Sequence, residues 1–412
     1  MSRSGCLCHQ EHRQAAVCAG HWLAVGVLAI VCCLDGSRAM GQDGIQRLQL
    51  TAAGFPEAVI VTGDTCWTGQ VQPVGALAGT AAEQAVACVR ELQRILQAHG
   101  GSLADVARLH LYGESDEILA AARQVLQSQW SADARPALTQ VISEIPGPGL
   151  LTMDAIATAS ESGALPVTSE WSRLPAGRQI YVAGQAEQSD SVYEASLATL
   201  QSLQKTLEFS GGNSADIVQL KAFVQPAAAA GDVQRAVQNF FGSDRPQPPL
   251  VIVEWKSGAK VPVEIELVAA GGPVRADQPL IAWVTPPGMT KSLVYSRVCV
   301  VQTRRLILTS GITAAEERRE QSAAAAAAES SSVLESLRRV VTSAGSDFQH
   351  LVKATYYVSS DAASLSLNAV RPRYYDPERP PAASKAVVSG TGVPAAELAM
   401  DLIAVPAEDP GR

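Results

Sequence analysis

Apolar residues three and four positions apart mark a helix three times along the chain: Val86, Val89, Leu92 and Leu96; then Tyr193, Leu197, Leu200 and Leu207; then Leu334, Leu337 and Val341. A glycine follows each stripe, Gly100, Gly211 or Gly345, and glycine can take the left-handed conformation that caps a helix C-terminus. Beyond each glycine lies a run rich in β-branched, aromatic and leucine residues, which predicts a strand. A second helix comes next, clear in "EILAAARQVLQSQW" and "GDVQRAVQNFF". In the third pass Pro372 falls inside "LNAVRPRYY" and is expected to kink or shorten that helix. Every pass then has an Arg-Pro pair, at Arg135, Arg245 or Arg379, opening an extended stretch, and ends with a glycine-containing turn and a final strand. Two extended segments open each pass, the second ending in "WTGQ", "VAGQ" or "LTSG".

The pattern is therefore one plan used three times. "HGGSLADVARLHLY" at 99–112 matches "SGGNSADIVQLKAF" at 210–223 position for position, and "AGSDFQHLVKATYY" at 344–357 more loosely. The glycines stand 111 and then 134 residues apart, the excess covering a Pro-containing linker and the insertion "AAEERREQSAAAAAAESSS". Six alanines at 323–328 favour helix and are expected to extend the third copy's first helix backwards. Each copy reads strand, strand, helix, strand, helix, strand, strand: an α+β layer pair, a mixed sheet with two helices on one face. The boundaries fall at 46–160, 166–271 and 278–407.

The first 41 residues differ. "WLAVGVLAIVCCL" at 22–34 is apolar, follows Arg3 and Arg13, and precedes small residues at Ser37 and Ala39, which is a signal-peptide pattern with cleavage near Ala39. It implies export, periplasmic or secreted; an uncleaved anchor is the alternative. Once it is cleaved, no stable membrane span is expected. Five of the eight cysteines lie in this segment, and the remaining Cys66, Cys88 and Cys299 form neither a disulfide framework nor a metal site. The formal charge is -8 with basic residues scattered, so nucleic acid is a poor partner.

The ordered motifs carry a resemblance. "TGQ", "AGQ" and "TSG"; "GGSLADV", "GGNSADI" and "GSDFQHL"; "NFF" at 239–241; "RPAL", "PPLV" and "RPPAAS"; and "EIELVAA" at 264–270 follow the layout of the RidA / YjgF family, also labelled endoribonuclease L-PSP. The resemblance implies a chorismate-mutase-like fold and trimers with clefts between subunits. Three copies in one chain are expected to close on themselves as a monomeric, intramolecular pseudo-trimer; the alternatives are three beads on a string or copies that trimerise with other chains. Family members that deaminate hydrolyse enamines and imines to a keto acid and ammonia. An arginine of the "PAR" motif grips the substrate carboxylate and a last-strand glutamate handles water or protons.

That arginine position holds Leu138, Leu250 and Ala383 here. The acidic position survives as Asp154, Glu266 and Asp401, the candidate acid/base residues, although an acid on an alternating strand is ordinarily just surface. Thr68, Gln140, Tyr295, Ser310 and Lys385 are candidate cleft residues for a ligand. Arg135, Arg245 and Arg379 stand at unequal distances from the lost position and are expected to hydrogen-bond carbonyls near the preceding helix end. "GTGVPA" at 390–395 has dinucleotide-loop spacing but sits between strands, where that motif has no meaning. No metal or other cofactor is expected. Loss of the anchor in all three copies points to a degenerate small-metabolite-binding protein. A weak or altered-substrate deaminase is the alternative, and a structural scaffold the third.

Overall fold

A computed structural model describes residues 44–408 apart from 50, 52, 160–166, 244, 259 and 315–321. The predicted leader, residues 1–41, lies outside the described residues. Among those residues no helix is long and apolar enough to cross a membrane.

The first module contains β1 (Ile45–Arg47), β2 (Ala58–Thr62), β3 (Thr65–Thr68), α1 (Ala81–Gln97), β4 (Val106–Gly113), α2 (Asp116–Gln129), β5 (Ala137–Ile142) and β6 (Leu151–Thr158). The second contains β7 (Trp171–Leu174), β8 (Gly177–Gln185), α3 (Val192–Phe209), β9 (Ile217–Val224), α4 (Ala230–Phe241), β10 (Leu250–Glu254) and β11 (Val263–Ala270). The third contains β12 (Ile281–Val284), β13 (Val298–Thr303), β14 (Arg305–Thr309), β15 (Ile312–Thr313), α5 (Ala323–Ser343), β16 (Leu351–Val358), α6 (Asp361–Val370), β17 (Ala382–Val387) and β18 (Leu398–Ala404). Gly100, Gly211 and Gly345 have φ of 80°, 81° and 81°. At Gly345 a Cβ would meet nothing, so the left-handed backbone alone selects glycine there. The alanine run starts α5 at Ala323 behind a Ser322 cap, and α6 gives way to a short 3-10 turn, Arg371–Arg373, at Pro372.

Each sheet is mixed: β4, β9 and β16 run parallel to β5, β10 and β17 and antiparallel to β6, β11 and β18. The two helices of a module cover one face, burying Leu92, Leu96, Leu119 and Leu126 against Leu109 and Met153 in module 1.

The opening strands do not stay at home. β7 of module 2 pairs with β3 of module 1, β13 of module 3 pairs with β8 of module 2, and β2 of module 1 pairs with β14 of module 3. The sequence reads each opening pair as belonging to its own module because it sees only adjacency along the chain; the partner is chosen by hydrogen-bonding edges far apart in sequence.

The faces opposite the helices meet one another. Val59, Ala107 and Ile156 of module 1, Tyr181, Val218 and Val268 of module 2, and Cys299, Val352 and Ile403 of module 3 share one buried cluster. A second shared cluster contains Tyr112, Phe223 and Tyr357. Between them in sequence, a bulge in each central strand lets two consecutive residues face inward. The register slips at Val106/Arg108, Val268/Ala269 and Leu351/Lys353, bringing Arg108, Gln219 and Lys353 inside beside Ala107, Val218 and Val352.

Candidate functional site: an ionic interior and three unlike junctions

The inward positions of the central strands supply Arg108 and His110 from β4, Lys221 from β9 and Lys353 from β16. The final strands supply Asp154, Glu266 and Asp401, directly opposite His110, Lys221 and Thr355. All three acids are buried. Each pairs with a base of another module: Asp154 with Lys221 at 3.5 Å, Glu266 with Lys353 at 2.5 Å, Asp401 with Arg108 at 3.4 Å. His110 lies between two acids, Nδ1 at 2.9 Å from Asp154 and Nε2 at 3.2 Å from Asp401. Tyr112 donates to Asp154 at 2.9 Å and accepts from Lys221 at 3.0 Å, while Thr139 donates to Asp401 at 3.2 Å.

Burial works to raise the Asp154 and Asp401 carboxyls, but the neighbouring charges outweigh it. His110 and Lys221 hold Asp154 well below the usual range, and Arg108 and His110 do the same for Asp401. These acids are committed to the interior. Both carboxylate oxygens of Asp154 and of Asp401 have side-chain partners, a geometry that serves cohesion between modules.

Glu264, two residues before Glu266 and on the same face, is different. It is half-buried at the junction of modules 2 and 3, and its carboxyl is pushed up to about 7, by burial first and then by Glu266, against the opposing effects of Lys353, Ser384 and Lys385. Gly184 makes room for it, since a Cβ at residue 184 would overlap the carboxylate, and the Gly184 N–H donates to Ser384 Oγ at 3.1 Å. The equivalent opposing positions hold Thr152 and Ala399. Sequence reading missed Glu264; the signal was the pair of carboxylates at alternate positions in "EIE", found in one copy only.

The cleft candidates scatter over three junctions. Ser310 is buried between modules 3 and 1, donating to the Pro56 carbonyl at 2.7 Å and accepting from Leu138 N–H at 2.8 Å. Gln140, half-buried at that junction, accepts from Arg123 at 3.4 Å. Thr68 is buried, donating to the Gly69 carbonyl and accepting from Ala155 N–H, each at 2.9 Å. Tyr295 and Lys385 both belong to the junction of modules 2 and 3. Arg297 stacks over the Tyr295 ring at 5.0 Å, and Lys385 reaches Ser364 at 2.7 Å and Asn368 at 3.2 Å. Burial, then Arg371, lowers the Lys385 ammonium to about 8.

The Arg-Pro arginines are occupied elsewhere. Arg135 donates to the carbonyls of Gln127 and Gly54, and Arg245 to those of Phe240 and Phe241. Arg379 departs from that pattern and donates to the Gln349 side chain at 3.0 Å. The glycines of "GTGVPA" serve close packing: a Cβ at Gly392 would fall 2.8 Å from Gln140 Cβ. Cys66 and His99 touch at 3.2 Å, but burial raises the thiol and lowers the imidazole, so the pair stays neutral and is no nucleophile. Among the described residues no group of acids, histidines and cysteines could hold a metal ion.

At the junction of modules 1 and 2 a cavity of about 390 Å³ opens over the start of β10, with Leu250, Ile252, Val237 and Pro248 as its apolar part and Gln70 on the module 1 side. Gln70 is spent on the edge of β10: its amide donates to the Ile252 carbonyl and accepts from Ile252 N–H.

Three mixed sheets, each with two helices, sharing one interior and offering clefts where they meet, define a multi-module α+β protein of the RidA type. The family model described as Endoribonuclease L-PSP matches residues 163–271 and 289–406, more than half of the chain, and the protein belongs to that family. Similar solved structures include Rv2704 of Mycobacterium tuberculosis, a member of the YjgF/YER057c/UK114 family, with 24% identity over 24% of this chain and 82% of that one, TM-score 0.21. NMB1025 of Neisseria meningitidis, a YjgF family member, has 21% identity over 31% of this chain and 96% of that one, TM-score 0.23. The YjgF gene product of E. coli has 24% identity over 23% and 81%, TM-score 0.22. No curated protein matches the chain.

Proposed function

We propose that this chain is an exported small-metabolite-binding member of its family, in which three modules close into an intramolecular pseudo-trimer and the junction clefts hold ligands without turning them over. The observation that carries the reading is the replacement of the carboxylate-gripping guanidinium by Leu138, Leu250 and Ala383, with an apolar-floored cavity at Leu250. A carboxylate there would lose water and gain no counter-charge. Closure is supported by the exchanged strands and by ion pairs that run from module 1 to 2, 2 to 3 and 3 to 1. Export rests on the sequence of the leader.

Thermal shifts of the full chain against a panel of charged, neutral and apolar metabolites test the reading. Saturable stabilisation by a panel member, without its consumption, is expected; no shift across the panel overturns it.

A second reading is favoured by Glu264. A carboxyl held near neutrality, beside Ser384 and within the field of Lys385, is suited to passing a proton to or from a bound enamine. Ammonia release from freshly generated 2-aminoacrylate, faster than in buffer and abolished by Glu264→Gln, establishes this reading and displaces the first. Rates equal to buffer remove it.

A further inference from the structure

The cavity between modules 1 and 2 is lined without a single charged side chain, in a protein whose interior a few residues away is crowded with them. Apart from the Ser169 hydroxyl, its polar lining is amide. Gln72 comes from module 1, Gln234 and Gln238 are one turn apart on α4, and Gln247 stands just before β10. Gln234 and Gln238 are exposed and Gln72 and Gln247 half-buried. Gln70 is different, locked to Ile252, and forms a fixed wall.

An amide side chain carries two donors on nitrogen and two acceptor lone pairs on oxygen. Four such groups around an apolar floor match a ligand whose polar groups both donate and accept and whose body presents C–H surface. A carboxylate or phosphate uses only the donors and brings a charge with no partner, against the net charge of -8. An apolar ligand uses the floor and leaves the amides to water. The volume of about 390 Å³ suits a small molecule.

We propose that this cleft binds a neutral, hydroxyl-rich compound of the monosaccharide class, held by Gln72, Gln234, Gln238 and Gln247 over Leu250 and Ile252. The inference rests on the binding reading above and narrows it to one junction and one ligand chemistry.

Calorimetric titration of the full chain with glucose, galactose, mannose and N-acetylglucosamine, and separately with pyruvate and 2-oxobutyrate, provides the test. Saturable binding of at least one neutral sugar is expected, weakened about tenfold or more by Gln234→Leu/Gln238→Leu together. Both side chains are exposed, so the fold is retained, and an unchanged circular dichroism spectrum checks this. Sugar binding that the double variant leaves intact overturns the proposal. So does binding of the keto acids alone, although the broader binding reading then stands. Absence of binding by every compound here and in the wider metabolite panel removes both.

Discussion

At the junction of modules 1 and 2 the β10 positions facing the cleft are Leu250 and Ile252, ringed by glutamines; at modules 2 and 3 the corresponding β17 positions are Ala383 and Lys385, with Glu264 at the same junction. Inside, both junctions are held in the same way, Asp154 on Lys221 in one and Glu266 on Lys353 in the other. Modules within one chain share a fold but not a sequence, so each junction is free to diverge. The interior charges are interdependent, because losing one strands another; the outer positions answer only to whatever occupies the cleft.

The largest expected effect breaks the interior. Lys353→Met leaves Glu266 uncompensated next to Glu264 and should cost about 3–5 kcal/mol in urea unfolding, whereas Lys353→Met/Glu266→Leu should recover most of it. Lys385→Met in the outer cleft should change stability by less than about 1 kcal/mol. Equal costs at the two lysines would erase the distinction between inside and outside.

A pH titration of stability sharpens the same contrast. Asp154 and Asp401 have lowered folded values, so the unfolded chain takes up protons first as pH falls. Their contribution is full above the ordinary aspartate range and is lost below it, as pH drops towards the folded values. Glu264 has the opposite sign. Its carboxyl lies near 7 when folded against an ordinary 4.5, so its contribution is full below 4.5 and is lost as pH rises through 7. Glu264→Gln should flatten that upper limb, raising stability at pH 8 by up to roughly 3 kcal/mol before screening reduces it. A variant whose stability profile parallels the parent between pH 5 and 8 would falsify the assignment.

Much of this architecture was legible in sequence because it is local. Stripes at helical spacing, the glycines with positive φ, Pro372 ending α6 and the alanine-extended α5 all follow from a few neighbouring residues. The exchanged opening strands were not, because nothing in "AVIVT" says which distant edge will accept it. Nor could alternation place Asp154, Glu266 and Asp401. It puts an acid on a face but not that face against two other sheets, and the bulges that carry Arg108 and Lys353 inward follow no residue pattern visible in the chain. That Leu138, Leu250 and Ala383 stand two residues beyond a proline of each module was plain from the sequence; what surrounds Leu250 was visible only once module 1 stood beside module 2.

A substitution at the cleft itself gives an effect smaller than those of breaking the interior or titrating Glu264. Leu250 is half-buried at the edge of β10, so an arginine there can extend into the cavity without displacing the sheet. Leu250→Arg should tighten pyruvate binding by roughly tenfold through a paired charge-assisted grip, while weakening any neutral ligand that rests on the leucine. The same substitution at Ala383 meets Lys385 two residues on and should gain less, because an ammonium is already present there. If Leu250→Arg leaves pyruvate binding unchanged and Ala383→Arg improves it, the 2/3 junction and not the 1/2 cavity is the cleft that suits a carboxylate.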